Sequence, residues 1–185
     1  MDAPAKNFLA TGPPACGKTT LVLRVVEQLS DLHISGFYTR ELREGGNRVG
    51  FEAIGISSGL HAILAHVHSK SRLRVGKYGV EAAALAPLVR AELARPPGGV
   101  DLFVIDEVGK MELFCAEFVD AVRRLLAGPV PLLATVAMKG GGLIAEVKGR
   151  EDVRLVEVTL ANRDRLPTEL EAWVRDRMRS AEIPL

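Results

Sequence analysis

A single α/β domain, with a mostly parallel central sheet, helices on both faces and an added β-hairpin, is what this sequence predicts. Three observations carry that prediction. Strand and helix patterns alternate along the chain, as in a parallel sheet flanked by helices. Residues 12–20 read Gly12-Pro13-Pro14-Ala15-Cys16-Gly17-Lys18-Thr19-Thr20, the spacing G-x-x-x-x-G-K-[ST] of a loop that wraps phosphate. Leu102-Phe103-Val104-Ile105-Asp106-Glu107 is an unbroken apolar run ending in two acids, and a strand buried on both faces has this composition. With 185 residues and 48% apolar content, one domain over residues 1–185 is expected, with a sizeable core.

The elements follow in order. Asn7 to Ala10 is the first strand, and Lys18 to Ser30 the first helix, with apolar residues at helical spacing from Leu21 to Leu29. Ile34 to Thr39 reads as the second strand. Arg40 to Arg43 and Arg48 to Ile54 then form a hairpin about a Gly45-Gly46-Asn47 turn, with charged residues at alternate positions and hence one wet face. Signals are weak from Ser57 to Val80, where His61–Val67 and Val75–Val80 read as short strands around the basic loop Ser69-Lys70-Ser71-Arg72. Glu81 to Ala94 is a helix with Leu85, Leu88, Val89 and Leu93 on one face, and Pro87 within it demands a first-turn position or a kink. Arg95-Pro96-Pro97-Gly98-Gly99 breaks the chain. After the acid-tipped strand, Ala116 to Ala127 turns Phe118, Val122, Leu125 and Leu126 inward. Val130 to Val136 is a strand, Gly140-Gly141-Gly142 a flexible connection, and Val153 to Thr159 the last strand. Arg165 to Arg179 closes the domain with Leu166, Leu170, Trp173 and Val174 on one face.

Composition excludes several functions. With 24 basic and 23 acidic residues the net charge is +1, which argues against a nucleic-acid or anionic-membrane surface. Aromatic residues, at 5%, are too few for a base-stacking platform. No apolar run approaches the roughly 20 residues that span a bilayer, and the N-terminus lacks a secretory design. Cys16 and Cys115 sit in unlike contexts, so a reducing cytosol is expected, with Cys16 a small filler of the loop. His61, His66 and His68 have no acidic or cysteine partners at ligand spacing and read as surface or packing residues.

The loop and the acid pair define a chemistry together. Gly12 and Gly17 permit a tight backbone path, so that N–H groups from Ala15 to Thr19 can face an anion at the positive end of the following helix. Lys18 reaches the β- and γ-phosphates and Thr19 offers its hydroxyl to Mg²⁺. Asp106, at the carboxyl end of a core strand, holds Mg²⁺ through water. Glu107 orients or deprotonates an attacking water. Two carboxylates facing a triphosphate would repel it, so the arrangement requires Mg²⁺.

Residues 12–20, together with Val104-Ile105-Asp106-Glu107-Val108-Gly109-Lys110-Met111-Glu112-Leu113, resemble the cancer-related nucleoside-triphosphatase family, first known from thermophilic microbes. Gly36-Phe37-Tyr38-Thr39, Arg48-Val49-Gly50-Phe51, Val75-Gly76-Lys77-Tyr78 and Asn162-Arg163-Asp164 extend the likeness over nearly the whole chain. The resemblance implies a compact P-loop NTPase domain that converts NTPs, including ATP, GTP, CTP and UTP, to NDP and phosphate, slowly and with little base preference. It also implies a nucleotide site made of residues 12–19 and 102–109: the loop, then Leu102, Phe103, Val104, Ile105, Asp106, Glu107, Val108 and Gly109. The chain departs from the family at Ala15-Cys16, where Gly-Val is more frequent, and at Glu81, where Asp is usual; Leu60 to Arg72 matches poorly.

Some roles stay open at this level. Lys110 either neutralises γ-phosphate charge in the transition state or pairs with Glu112 or Glu107. Asn162 and Arg163 either contact a base, by hydrogen bond and by stacking, or cap a helix and face solvent. Tyr38-Thr39-Arg40 shapes the γ-phosphate pocket or binds a second substrate. Mg²⁺-dependent hydrolysis by a monomer in the cytoplasm is the leading reading. A nucleotide or small-molecule kinase, which needs an acceptor pocket and a lid, and a nucleotide-switched binding module are its rivals.

Overall fold

The computed structural model describes residues 5–94 and 99–181, which form a nine-stranded sheet between helices. The strands are β1 (Asn7–Thr11), β2 (Ile34–Glu44), β3 (Asn47–Gly55), β4 (His61–His66), β5 (Arg74–Val75), β6 (Tyr78–Val80), β7 (Leu102–Val108), β8 (Leu132–Val136) and β9 (Val153–Glu157). The helices are α1 (Lys18–Gln28), α2 (Ala82–Leu93), α3 (Ala116–Ala127), α4 (Leu143–Lys148) and α5 (Leu166–Ala181). The sheet runs β5-β6-β4-β3-β2-β7-β8-β1-β9. From β2 to β9 neighbours pair parallel, and from β2 outward to β5 they pair antiparallel. The predicted break at 95–99 lies, but for Gly99, outside the described residues.

The apolar runs exist because the parallel strands are covered twice. Along β7, Leu102 and Val104 join one core with Phe8, Leu21, Val22, Val25, Leu170 and Val174, against α1 and α5. The alternate residues Phe103 and Ile105 join the other, with Leu85, Phe118, Val122 and Ile144, against α2, α3 and α4. Strand side chains point to opposite faces in turn, so a strand covered on both sides is apolar at every position. Trp173 is partly buried and tilts against Phe8 at 5.8 Å between ring centroids.

Several sequence-based boundaries are revised. The second strand and the first half of the hairpin are one strand, β2, because Ile34–Phe37 pair with β7 while Phe37–Glu44 pair with β3. Its turn is Gly45-Gly46, with φ of 54° and 80°, the left-handed pair that a two-residue hairpin favours. Val75–Val80 is not one strand but the hairpin β5–β6. The glycine run at 140–142 leads into the helix α4, too short for its period to be read. Pro87 is the sixth residue of α2, and the helix continues past it. A mid-helix proline costs about 3 kcal/mol, whereas burying Leu85, Leu88, Val89 and Leu93 returns roughly 1.5–3 kcal/mol each.

One buried acid welds the helix layer to the sheet extension. Glu92, fully buried on α2, accepts N–H bonds from Gly36 (2.8 Å), Ser57 (3.2 Å) and Ser58 (2.6 Å) and a hydroxyl bond from Ser35 (3.0 Å). Gly36 is required where β2 meets β7, because a Cβ there would stand 1.8 Å from the Val104 carbonyl oxygen. These contacts hold the first residues of β2 beside β7.

Candidate active site

The phosphate loop leaves β1 at Thr11, whose hydroxyl donates to the Val136 carbonyl at 3.0 Å. It then turns through left-handed residues, Ala15 at φ 63° and Gly17 at φ 107°. A side chain at Gly12 would collide with Cys16 Sγ at 2.8 Å and the Val158 oxygen at 2.9 Å. Cys16 therefore packs inward as the predicted filler. Its own N–H donates to the Pro13 carbonyl at 3.3 Å, so among the amides expected to face an anion that one is engaged within the loop. Those of Lys18, Thr19 and Thr20 open α1 and have no partner one turn earlier in the helix.

Lys18 and the acid pair meet here. Lys18 Nζ donates to the carbonyls of Gly12 (3.0 Å) and Pro13 (3.3 Å) and lies 3.8 Å from Glu107 Oε2. Asp106 is buried at the end of β7 and accepts hydroxyl bonds from Thr19 (2.7 Å), Thr39 (3.4 Å) and Thr135 (2.6 Å). The pairing of β7 with β8 slips between Ile105 and Val108, and this irregularity carries both acids. Glu107 lines the cleft. Burial pushes its carboxyl above the usual carboxylate range, Lys18 opposes that shift, and Asp106 reinforces it.

Glu112 is the residue that sequence reasoning underrated. It sits in a 3₁₀ turn, Glu112–Phe114, is buried, and has its carboxyl pushed up to about 8 by desolvation, with the charge of Glu107 adding to the shift. Gly109 separates the two: a Cβ there would lie 2.9 Å from Glu112 Oε2 and 3.2 Å from Glu107 Oε1. Thr39 and Thr135 were equally illegible as partners of Asp106, since they stand 67 and 29 residues away in sequence.

Other expected site residues are distributed as follows. Leu102, Phe103, Val104, Ile105 and Val108 are at most 3% exposed. Their side chains fill the two cores and fix the tip of the strand in place. Lys110 is exposed, lines the cleft and forms no ion pair among the described residues; the pairing alternative fails because Glu107 faces Lys18 and Glu112 is buried. Asn162 accepts from the Thr159 N–H and donates to the Glu157 carbonyl, both at 2.8 Å, which braces the β9–α5 loop and engages both ends of its amide. Arg163 is different: its Cδ lies 3.7 Å from where a Gly17 Cβ would be, so its side chain lies against the phosphate loop at Gly17. Among the described residues no group of three or more His, Cys, Asp or Glu could hold a metal ion, and His61 instead pairs with Glu52 at 2.9 Å.

A glycine-bounded loop at a helix start, its lysine beside a strand-end acid pair, defines a P-loop nucleoside-triphosphate-binding domain of the α/β class. The NTPase family model matches residues 7–171. Nucleoside-triphosphatase THEP1 of Natranaerobius thermophilus is 40% identical over 93% of this chain and 98% of that protein. The cancer-related nucleoside-triphosphatase of Homo sapiens is 38% identical over 92% of this chain and 97% of that protein. The crystal structure of THEP1 from Aquifex aeolicus superposes with a TM-score of 0.82 at 32% identity, covering 91% of this chain and 98% of that one. The chain belongs to this nucleoside-triphosphatase family, as its sequence resemblance implied.

Proposed function

We propose that this protein is a Mg²⁺-dependent nucleoside-triphosphatase that converts NTP and water to NDP and phosphate, with slow turnover and little base preference. The single observation that carries the reading is the pairing of Thr19 with Asp106 at 2.7 Å beside the Lys18–Glu107 pair. The hard oxygens of Thr19 and Asp106, 2.7 Å apart, fit Mg²⁺ and would hold it. When bound there, the ion would supply charge neutralisation to the phosphate tail.

The chain's own groups do the rest. The first-turn amides of α1 and the Lys18 ammonium grip the phosphate tail. Glu107, its basicity raised by burial, takes a proton from the attacking water. The water oxygen bonds to the γ-phosphorus as the bond to the β–γ bridging oxygen breaks, and the electron pair leaves with the NDP. Lys110, free at the rim, offsets charge on the transferring group. Arg163 stacks on the base, and with the Asn162 amide already engaged by main chain the contact is one that any base satisfies, so ATP, GTP, CTP and UTP all serve.

Phosphate release measured with and without Mg²⁺ tests this. Lys18→Ala abolishes turnover and weakens NTP binding. Glu107→Gln keeps nucleotide affinity but slows release by roughly 10²- to 10⁴-fold, the weight of a positioned base. Wild-type rates in Lys18→Ala, or full activity in EDTA, would overturn the assignment.

A further inference from the structure

The cleft is larger than the phosphate site. It runs from the loop past Glu107 and over the antiparallel extension, enclosing about 970 Å³, near the top of the roughly 300–1,000 Å³ of ordinary small-molecule sites. Strand order fixes which half is which. Arg163 follows β9 and lies against Gly17 of the loop that follows β1. Glu107 lies near the end of β7, two strands from β1, and Phe51 and Leu64 stand on β3 and β4, two and three strands beyond β7. At about 4.8 Å per strand, that places them about 10–14 Å past β7, on the side away from Arg163. A nucleotide with its tail in the loop and its base by Arg163 leaves that half uncovered.

The walls of this half are unlike those of the phosphate half. Its floor is apolar, made by Phe51, Leu64, Val75 and Met111. The Arg48 guanidinium lies 5.1 Å from the Phe51 ring centroid. It is fixed there by the Tyr78 hydroxyl at 3.0 Å and Glu41 at 2.7 Å. Arg40 is held by Glu52 at 2.6 Å. An apolar floor and guanidinium groups already fixed along it, one of them stacked on Phe51, suit a flat apolar body that carries negative charge.

We propose that the part of the cleft floored by Phe51, Leu64, Val75 and Met111 is a second small-molecule site, which takes a planar, largely apolar organic anion alongside the nucleoside triphosphate. The site rests on the nucleotide reading above, because that reading places the triphosphate in the other half.

Calorimetric titration with 2-naphthalenesulfonate, a planar anion that cannot be hydrolysed, tests it. The titration is run on the protein alone and on the protein saturated with Mg²⁺ and β,γ-imido-ATP. One saturable site is expected in both, with affinities that agree within about threefold. Val75→Glu, which puts a carboxylate into the pocket from the half-buried Val75 on β5, and Arg48→Gln, which removes the cation over Phe51, each weaken the probe about tenfold and leave β,γ-imido-ATP binding in place. Absence of saturable binding, or equal binding by wild type and both variants, overturns the proposal. Mutual exclusion of probe and nucleotide overturns it too, by making this half the base pocket. Failure of the nucleotide reading shows separately, as no heat from β,γ-imido-ATP alone, and removes the ternary complex with it.

Discussion

At the scale of single residues, the site is a set of acids in unequal surroundings. Asp106 is satisfied by three hydroxyls, Glu107 faces Lys18 at the cleft, and Glu112 is desolvated with its carboxyl raised to about 8. The folded chain therefore keeps the Glu112 proton up to about pH 8, while an ordinary glutamate gives it up near 4.5. Between those values the folded state binds more protons than the unfolded, so stability falls as pH rises through the window and levels off above it. Urea unfolding without nucleotide or divalent cation, at pH 5 and again above pH 8, is expected to show a loss of a few kcal/mol in wild type. That part of the loss disappears in Glu112→Gln. Parallel profiles for the two proteins would show that Glu112 is not the group responsible. Asp106 and Glu107 were legible because they end a local apolar run. Glu112 was not, because nothing in its neighbourhood of sequence announces that the fold buries it.

At the scale of elements, helix faces and parallel strands were read with little error, whereas the hairpin and the weak segment after it were not. Amphipathic spacing located the inward residues of α3, which are Phe118, Val122, Leu125 and Leu126 with Ala121. The sequence of α2 contained a further signal that went unused: Glu92 continues the apolar stripe of Leu85, Leu88 and Val89 and is buried with them. An acid at such a position must be satisfied by donors, and here they come from Ser35, Gly36, Ser57 and Ser58. Glu92→Ala is expected to destabilise the domain by about 1–3 kcal/mol, because it leaves the buried Gly36 N–H unpaired. Denaturant midpoints check this, and a change under about 1 kcal/mol would mean that water replaces the carboxylate.

At the scale of the whole molecule, the two cores grip β1, β7 and β8 from both faces, and the phosphate loop, the acid pair and Thr135 all hang from those strands. A ligand held there stabilises the whole domain. Mg²⁺–nucleotide at a hundred times its Kd adds about 2.7 kcal/mol, a rise of roughly 5–10 °C in Tm for a domain of this size. Thermal scans with β,γ-imido-ATP are expected to show that rise in wild type and to lose it in Lys18→Ala. An equal rise in both proteins would place the nucleotide elsewhere.

The sequence by itself determined the phosphate loop, the acid-tipped strand, the alternating architecture and the family, because each is written in residues close together in the chain. Periodicity and loop chemistry are local, and so are their physical causes. Tertiary structure alone decided that Thr39 and Thr135 brace Asp106, that Glu112 is buried, that the Asn162 amide is engaged by main chain, and that β3 to β6 extend the cleft far past Glu107. Those outcomes depend on which distant strands pair and which side chains lose water when they do, and no stretch of chain carries that information within itself.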